Sequence, residues 1–315
     1  MAVTLVEAAK LSQTQLQRGV IETFVQESSI LDRIPLMQIE GNAYAYNEEA
    51  TLPGVAFRSV NEAYTESTGT FNQKSESLVI LGGDADVDRF IVRTRGNLND
   101  QRATQTRMKV KAAAYKFQDT FFNGDVAVDA KSFDGLKKRL TGAQVLDAAT
   151  NGLGPVAGGH DFFDVLDAAI AQVPGVNGSN GAIYANSAAI ARIKSSARRL
   201  GGVEMVREAL TQKMVATYNG IPLLDPGATA AGTAILPQTE TQGTASGTAS
   251  SIYVVKYGQD EGDQAVTGLT NGGVQVYDLG ELQEKPAYRT RIEFYCGLGV
   301  FGGKAGARIR GVLNA

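Results

Sequence analysis

Apolar residues are spread unevenly along this chain, and their spacing separates stretches that can bury a face from stretches that cannot. Between Tyr44 and Ser77 the only Leu, Val, Ile, Met or Phe residues are Leu52, Val55, Phe57, Val60 and Phe71. These are too few to build a core, so the stretch reads as a strand-like hairpin that must lie on something else. Pro53-Gly54 and Ser67-Thr68-Gly69 supply its turn signals. Arms of about fifteen residues would reach roughly 50 Å at about 3.3 Å per residue, more than the diameter of a compact domain of this size. A neighbouring copy is the expected support.

The return arm closes on Leu78, Val79, Ile80 and Leu81 before Gly82-Gly83, where the loop is expected to rejoin a core. A helix follows, with Asn97 or Asn99 as its cap, Asp100 at its positive end and Gly124 at a left-handed C-terminal cap. It spans about 25 residues and roughly 37 Å. Ala103, Val110, Ala114, Phe117 and Phe121 form its apolar face, and Arg102, Arg107, Lys109, Lys111 and Lys116 populate the rest.

Upstream, Thr4 and Glu7 form a capping-box pattern, and Leu16, Val20 and Phe24 recur every four residues. Residues 1–36 read as an arm or as a pair of surface helices. Downstream, a helix over 161–173 (Phe162, Leu166, Ala169, Ile170, Val173), a strand over 182–185 and a helix capped at Asn186 or Ser187 (Ile190, Ile193, Ala197, Leu200) read as α/β. Gly227 to Ser250 is mostly Gly, Ala, Ser and Thr and reads as a flexible surface loop before a strand over 252–257. Tyr288, Thr290, Ile292, Phe294 and Cys296 alternate with Arg289, Arg291, Glu293 and Tyr295, the clearest strand in the chain.

Composition narrows the function classes. At 315 residues and 43% hydrophobic content the chain suits one large globular domain or two ordinary ones. A net charge of -3 argues against a surface built throughout for nucleic acid. Cys296 is the only cysteine, so no intrachain disulfide and no cysteine-based zinc site can exist. No signal peptide or membrane span is indicated. Charge is segregated: Tyr44–Ser77 carries five acids against two bases, whereas Arg89–Gln118 carries eight bases against Asp100. These are either two solvated faces or surfaces complementary across a subunit boundary.

Catalytic patterns fail on context. Gly297, Gly299 and Gly302 match a dinucleotide-binding turn, but the thirteen residues after Gly302 leave no room for a crossover helix and a second strand. Close backbone packing explains the glycines better. Gly303-Lys304 continues into Ala305 and is not a phosphate-binding loop. Asp84, Asp86 and Asp88 begin like a calcium loop, but Arg89 and Arg95 stand where glycine and glutamate are required. The three carboxylates are expected to be solvated or paired with arginine. His160, the only histidine, reads as a surface loop residue, and Cys296 as a buried apolar side chain. No catalytic, cofactor-binding or metal-ligating residue is assigned, and the chain is not expected to be an enzyme.

The order of several short strings carries a resemblance over essentially the whole chain. They are Gly41-Asn42-Ala43-Tyr44, Leu52-Pro53-Gly54-Val55-Ala56-Phe57-Arg58, Gly82-Gly83-Asp84-Ala85-Asp86-Val87-Asp88, Asn123-Gly124-Asp125, Phe133-Asp134-Gly135-Leu136 and Asn219-Gly220-Ile221-Pro222. In that order the chain resembles the major capsid proteins of tailed bacteriophages, whose Hong Kong 97-type fold is shared with encapsulins. The resemblance implies an α+β fold with an N-terminal arm (1–36), an extended β-hairpin loop (37–90), a peripheral domain with a long spine helix (91–160), an α/β axial domain (161–280) and strands returning to the peripheral domain (281–315). It implies self-assembly into pentamers and hexamers, forming an icosahedral shell around double-stranded DNA within a virion assembled in the bacterial host cytoplasm. The alternative is an encapsulin-like nanocompartment. Glu48, Glu49, Arg58, Glu62 and Glu66 are then candidate inter-subunit contacts in the loop. Arg102, Arg107, Lys109, Lys111 and Lys116 form a basic strip facing a neighbour or DNA. Implied partners are the chain itself, a portal protein, a decoration protein, packaged DNA contacted non-specifically, and a scaffolding protein expected to be separate because the chain starts almost at the arm. No membrane and no cofactor is implied. Relatives that cross-link do so through a loop lysine. Val55 to Gln73 has none, so a non-covalent shell is expected.

Overall fold

The computed structural model describes residues 28–95, 101–148, 160–200, 204–207, 214–242 and 245–313. In chain order its first elements are β1 (Leu36–Gln38), β2 (Ala43–Thr51), β3 (Thr70–Ser77), β4 (Val79–Asp88), α1 (Arg89–Arg95), α2 (Gln101–Asn123), α3 (Leu136–Arg139) and β5 (Val145–Asp147). There follow α4 (His160–Ala171), β6 (Gly181–Tyr184), α5 (Ser187–Leu200), β7 (Glu204–Arg207), β8 (Met214–Tyr218) and β9 (Ile221–Leu224). The last are β10 (Glu240–Gln242), β11 (Ala245–Lys256), β12 (Val266–Glu281), β13 (Ala287–Val300) and β14 (Gly306–Leu313). The expected N-terminal helices and the caps at Asn97, Asn99 and Asp100 lie outside the described residues.

Period-two alternation makes β13 the middle of a four-stranded sheet, β1-β12-β13-β4. Thr290, Ile292, Phe294 and Cys296 are buried on one face, while Arg289, Arg291, Glu293 and Tyr295 stand on the other. Helix α2 lies on the buried face through Val110, Ala114, Phe117 and Phe121, the expected stripe. Phe117 meets Phe294 and Phe133, each at 5.9 Å between ring centroids. Gly124 ends this helix for a different reason than expected. Its φ is not positive; a side chain there would run into the Phe133 carbonyl at 2.3 Å.

The larger sheet runs β5-β14-β11-β6-β9-β8-β7, with β10 on β11. Leu166, Ala169 and Val173 pack with Ala189 and Ile193 of α5 and with Ile183, Ile252 and Ile309 of the sheet. Asn186 caps α5 as expected, its Oδ1 accepting from the Ala189 amide at 2.7 Å. Phe122, at the end of α2, lies 5.4 Å from Tyr184 and 5.1 Å from Tyr253, which joins the helix to this sheet.

Sheet membership cuts across the segments read from sequence. Strand β12 pairs with β13, and β14 pairs with β11 and β5. Three local expectations are corrected. The segment 227–250 is not a free surface loop: Ile235 and Leu236 enter the core, and β11 begins at Ala245, with Ala249, Ser250 and Ser251 buried. Arg308, on the neighbouring strand, donates to Glu240 Oε1 at 2.7 Å and to Ser251 Oγ at 3.0 Å. The hairpin ladder spans β2 and β3, nine and eight residues rather than about fifteen per arm. Pro53 lacks the amide that would continue it. His160, expected in a loop, is the first residue of α4. Gly297 and Gly299 lie inside β13, and a side chain at Gly299 would meet the Phe301 ring at 2.8 Å, so close packing accounts for that glycine.

Candidate assembly surface

The hairpin forms a two-stranded sheet of its own. Beyond the ladder, Ser67 Oγ donates to the Gly54 carbonyl at 2.9 Å, so the two turn signals face each other across the loop. The reversal itself lies at Ser59–Glu62, where Asn61 adopts φ 69° and the Glu62 amide donates to the Ser59 carbonyl at 3.2 Å. Asparagine tolerates that left-handed conformation better than most residues. Leu52, Val55, Phe57, Val60, Tyr64 and Phe71 are all exposed, Val55 at 96% and Phe57 at 108% of full accessibility. The shortage of burying partners read from the sequence thus appears in the structure as exposed apolar side chains.

The candidate contact residues take different positions around this loop. Glu48 pairs with Lys74 across the ladder at 2.5 Å. Arg58 lies 5.2 Å over the Tyr64 ring and donates to the Glu62 carbonyl at 3.2 Å, while Glu62 accepts from the Ser59 amide at 2.9 Å. Glu49 and Glu66 are exposed. Part of the hairpin's charge is therefore neutralised within the chain.

On α2 the basic residues form two rows. Arg102, Lys109 and Lys116 are seven residues apart and share one flank, while Arg107 and Lys111 occupy the opposite flank. Arg102 pairs with Asp278 at 2.6 Å and lies over the Tyr288 ring. The Lys109 stem runs against Gly83, where a side chain would meet its Cδ at 3.3 Å. Lys111 lies 5.5 Å from the Tyr115 ring centroid, and Arg107 and Lys116 are exposed.

The outer face of the four-stranded sheet carries an ionic ladder. Arg291 binds Asp84 through two bonds of 2.8 and 3.0 Å, Arg289 binds Asp86 through two of 2.7 Å, and Lys285 adds a third cation at 2.5 Å from Asp86. The carboxylates that began like a calcium loop are thus paired with arginine, and Asp88 caps the Phe90 amide at 2.7 Å. Hydrogen bonds from Arg291 hold the Asp84 carboxyl below its ordinary range, and those from Arg289 and Lys285 do the same for Asp86. Folded-state values below the unfolded value of about 3.9 mean that the stabilisation is complete above that value and is lost as pH falls through the folded values. Asp84→Asn with Asp86→Asn should therefore flatten the loss of thermal midpoint between pH 5 and 3; a slope equal to the parent's would refute the ladder's role. Burial alone raises the Cys296 thiol, consistent with an apolar role.

Sequence reasoning missed the contacts that seat the hairpin. Arg139 grips Glu76 through two bonds, one to Oε2 at 2.6 Å. Tyr46 packs edge-on against Phe301, 4.8 Å between centroids, and its hydroxyl reaches the Val300 carbonyl at 3.4 Å. Burial, reinforced by Glu76, pushes that hydroxyl up to about 12. No local pattern links residues so far apart. Among the described residues, no group of three or more His, Cys, Asp or Glu is placed to hold a metal, and no helix is long and apolar enough to cross a membrane.

Comparison with known proteins bears on this geometry. A sequence model for the family described as major capsid protein GP7 matches residues 12–154. A search of curated proteins gives no match. The holo-SrpI encapsulin complex from Synechococcus elongatus PCC 7942 superposes with a TM-score of 0.67 at 18% identity, covering 100% of this chain and 98% of that one. The capsid of the native GTA particle gives a TM-score of 0.63 at 13% identity, over 90% of each chain. The capsid of Cyanophage P-SCSP1u gives 0.54 at 14% identity, over 89% of this chain and 87% of that one.

Proposed function

We infer that this chain, which has the Hong Kong 97-type capsid fold, is a structural major capsid protein that assembles with copies of itself into pentamers and hexamers of an icosahedral shell. The observation that carries this reading is the hairpin tip, whose apolar side chains are exposed among the described residues. An adjacent subunit covers them, so the hairpin acts as the extended loop. Helix α2 is assigned as the spine helix and, with the sheet β1-β12-β13-β4, forms the peripheral domain, and the larger sheet forms the axial domain. The role is structural and non-enzymatic.

Several finer assignments belong to the same proposal. Glu48, Glu49, Arg58, Glu62 and Glu66 contact the neighbouring subunit, and Arg107 and Lys111 with Arg102, Lys109 and Lys116 face a neighbour or double-stranded DNA. The shell is non-covalent, forms in the bacterial host cytoplasm, and works with a portal, a scaffolding protein and a decoration protein. Arg107→Glu with Lys116→Glu should lower particle yield with little change in subunit stability, because both side chains are exposed and exposed helix charges contribute little within a chain. Unchanged yield in both low and high salt would sink the inter-subunit role, and a selective loss of DNA retention would assign the rows to phosphate.

Electron microscopy of the purified chain tests the function: closed shells are expected, and a monodisperse small species overturns it. The encapsulin-like reading is favoured by the likeness to the encapsulin over this chain's whole length. Nuclease-protected DNA inside particles from infected cells selects the capsid; enclosed protein cargo selects the nanocompartment.

A further inference from the structure

The hairpin meets the rest of the subunit at a narrow neck. Gly41 has φ +90 with nothing within 4 Å of the position a side chain would take. Leu78 is the one residue between β3 and β4, and its amide donates to the Asn42 carbonyl at 2.8 Å. Two adjacent backbone points therefore carry the whole projecting element: Gly41 has no side chain to resist bending, and Leu78 rests its side chain beside Gly297 of β13, where a Cβ would meet its Cδ2 at 3.4 Å. An open cleft of about 740 Å³ lies beside this neck, lined by Glu48, Lys74, Lys138, Thr141, Gln144 and Gly303 among others. It leaves room for the hairpin to swing.

What opposes that swing is a small set of polar contacts just beyond the neck. Arg139 binds Glu76 through both carboxylate oxygens, and the two side chains are only 17% and 14% exposed. A planar guanidinium on a planar carboxylate fixes direction as well as distance, which a lysine point charge does not. Arg139 is itself aimed, because its Nε donates to the Asp134 carbonyl at 2.7 Å. Asp134 in turn accepts from the Val126 amide at 2.9 Å and pairs with Lys138 at 3.0 Å. On the hairpin side, the Tyr46 hydroxyl approaches Glu76 at 3.5 Å while its ring rests on Phe301.

We propose that Arg139 is a latch: its paired grip on Glu76, backed by Tyr46 on Phe301, sets the angle of the hairpin, and release lets the hairpin swing about Gly41 and Leu78 across the cleft. A small rotation at the neck becomes a large displacement at Phe57, because the ladder and the open loop both lie beyond the latch. One sequence thereby reaches neighbours at more than one subunit angle. This use of the latch rests on the shell reading, whereas the latch itself is a property of the single subunit.

Spin labels on the full chain at Thr65→Cys and Ala130→Cys, both exposed positions, read the angle directly in free subunits. Cys296 is buried and stays unlabelled. One narrow distance distribution is expected for the parent, a broad or two-peaked one for Arg139→Gln, and a narrow one again for Glu76→Arg combined with Arg139→Glu. A broad parent distribution, an unchanged Arg139→Gln, or a swapped pair as broad as the single variant overturns the latch. If Arg139→Gln does not fold, Glu76→Gln takes its place with the same outcomes. Because distances are read before assembly, failure of the parent to form shells overturns only the shell reading.

Discussion

Val55→Ser with Phe57→Ser is expected to abolish closed shells while leaving the free subunit as stable as the parent. Both side chains are fully exposed among the described residues, so their removal takes away no packing there; such surface changes usually lie within about 0.5 kcal/mol. In an assembled contact the same side chains would be buried, at about 1.5–3 kcal/mol each. A loss of several kcal/mol at every repeated contact exceeds the roughly 1.4 kcal/mol that changes an association constant tenfold. Particle yield by electron microscopy and thermal midpoint of the free subunit check the two halves separately. Normal shells would mean that the tip is not an assembly contact. A lowered midpoint with normal shells would mean that the tip packs within its own subunit.

The second large effect belongs to folding. Phe122 is fully buried where α2 meets the larger sheet, within 5.0 Å of Phe121 and close to Tyr184 and Tyr253. Phe122→Ala removes an aromatic side chain from a site walled by other rings, which cannot collapse far to fill the space. A cost of about 3–5 kcal/mol is expected in denaturant unfolding, against a total of about 5–15 kcal/mol for an ordinary domain. Phe122→Leu, which keeps most of the volume, should recover the larger part. A loss below about 1 kcal/mol for the alanine variant would show that helix and sheet are not joined there.

Elements whose partners are near in sequence, or whose burial is one-sided, were legible before any coordinates. The alternation in β13 and the three- and four-residue spacing along α2 each report one buried face, and both faces are where the spacing puts them. The Gly, Ala, Ser and Thr segment misled because composition says nothing of a distant arginine. Arg308 and Glu240 are 68 positions apart, and part of the apparent loop pairs as strand with β14, itself distant in sequence. The long basic helix was legible as basic, but its division into two rows, one resting on Asp278 and Gly83, needed the sheet beneath it.

Local spacing thus established the hairpin, the amphipathic helix, the alternating strand and the scarcity of apolar residues from Tyr44 to Ser77, because side-chain direction along a regular element follows from backbone geometry. Which carboxylate each arginine would grip, where β12 and β14 would pair, and what would hold the hairpin at its neck emerged only when distant segments were brought together. Such contacts depend on chain closure over many residues, and neither residue of a pair such as Glu76 and Arg139 carries a local mark of the other.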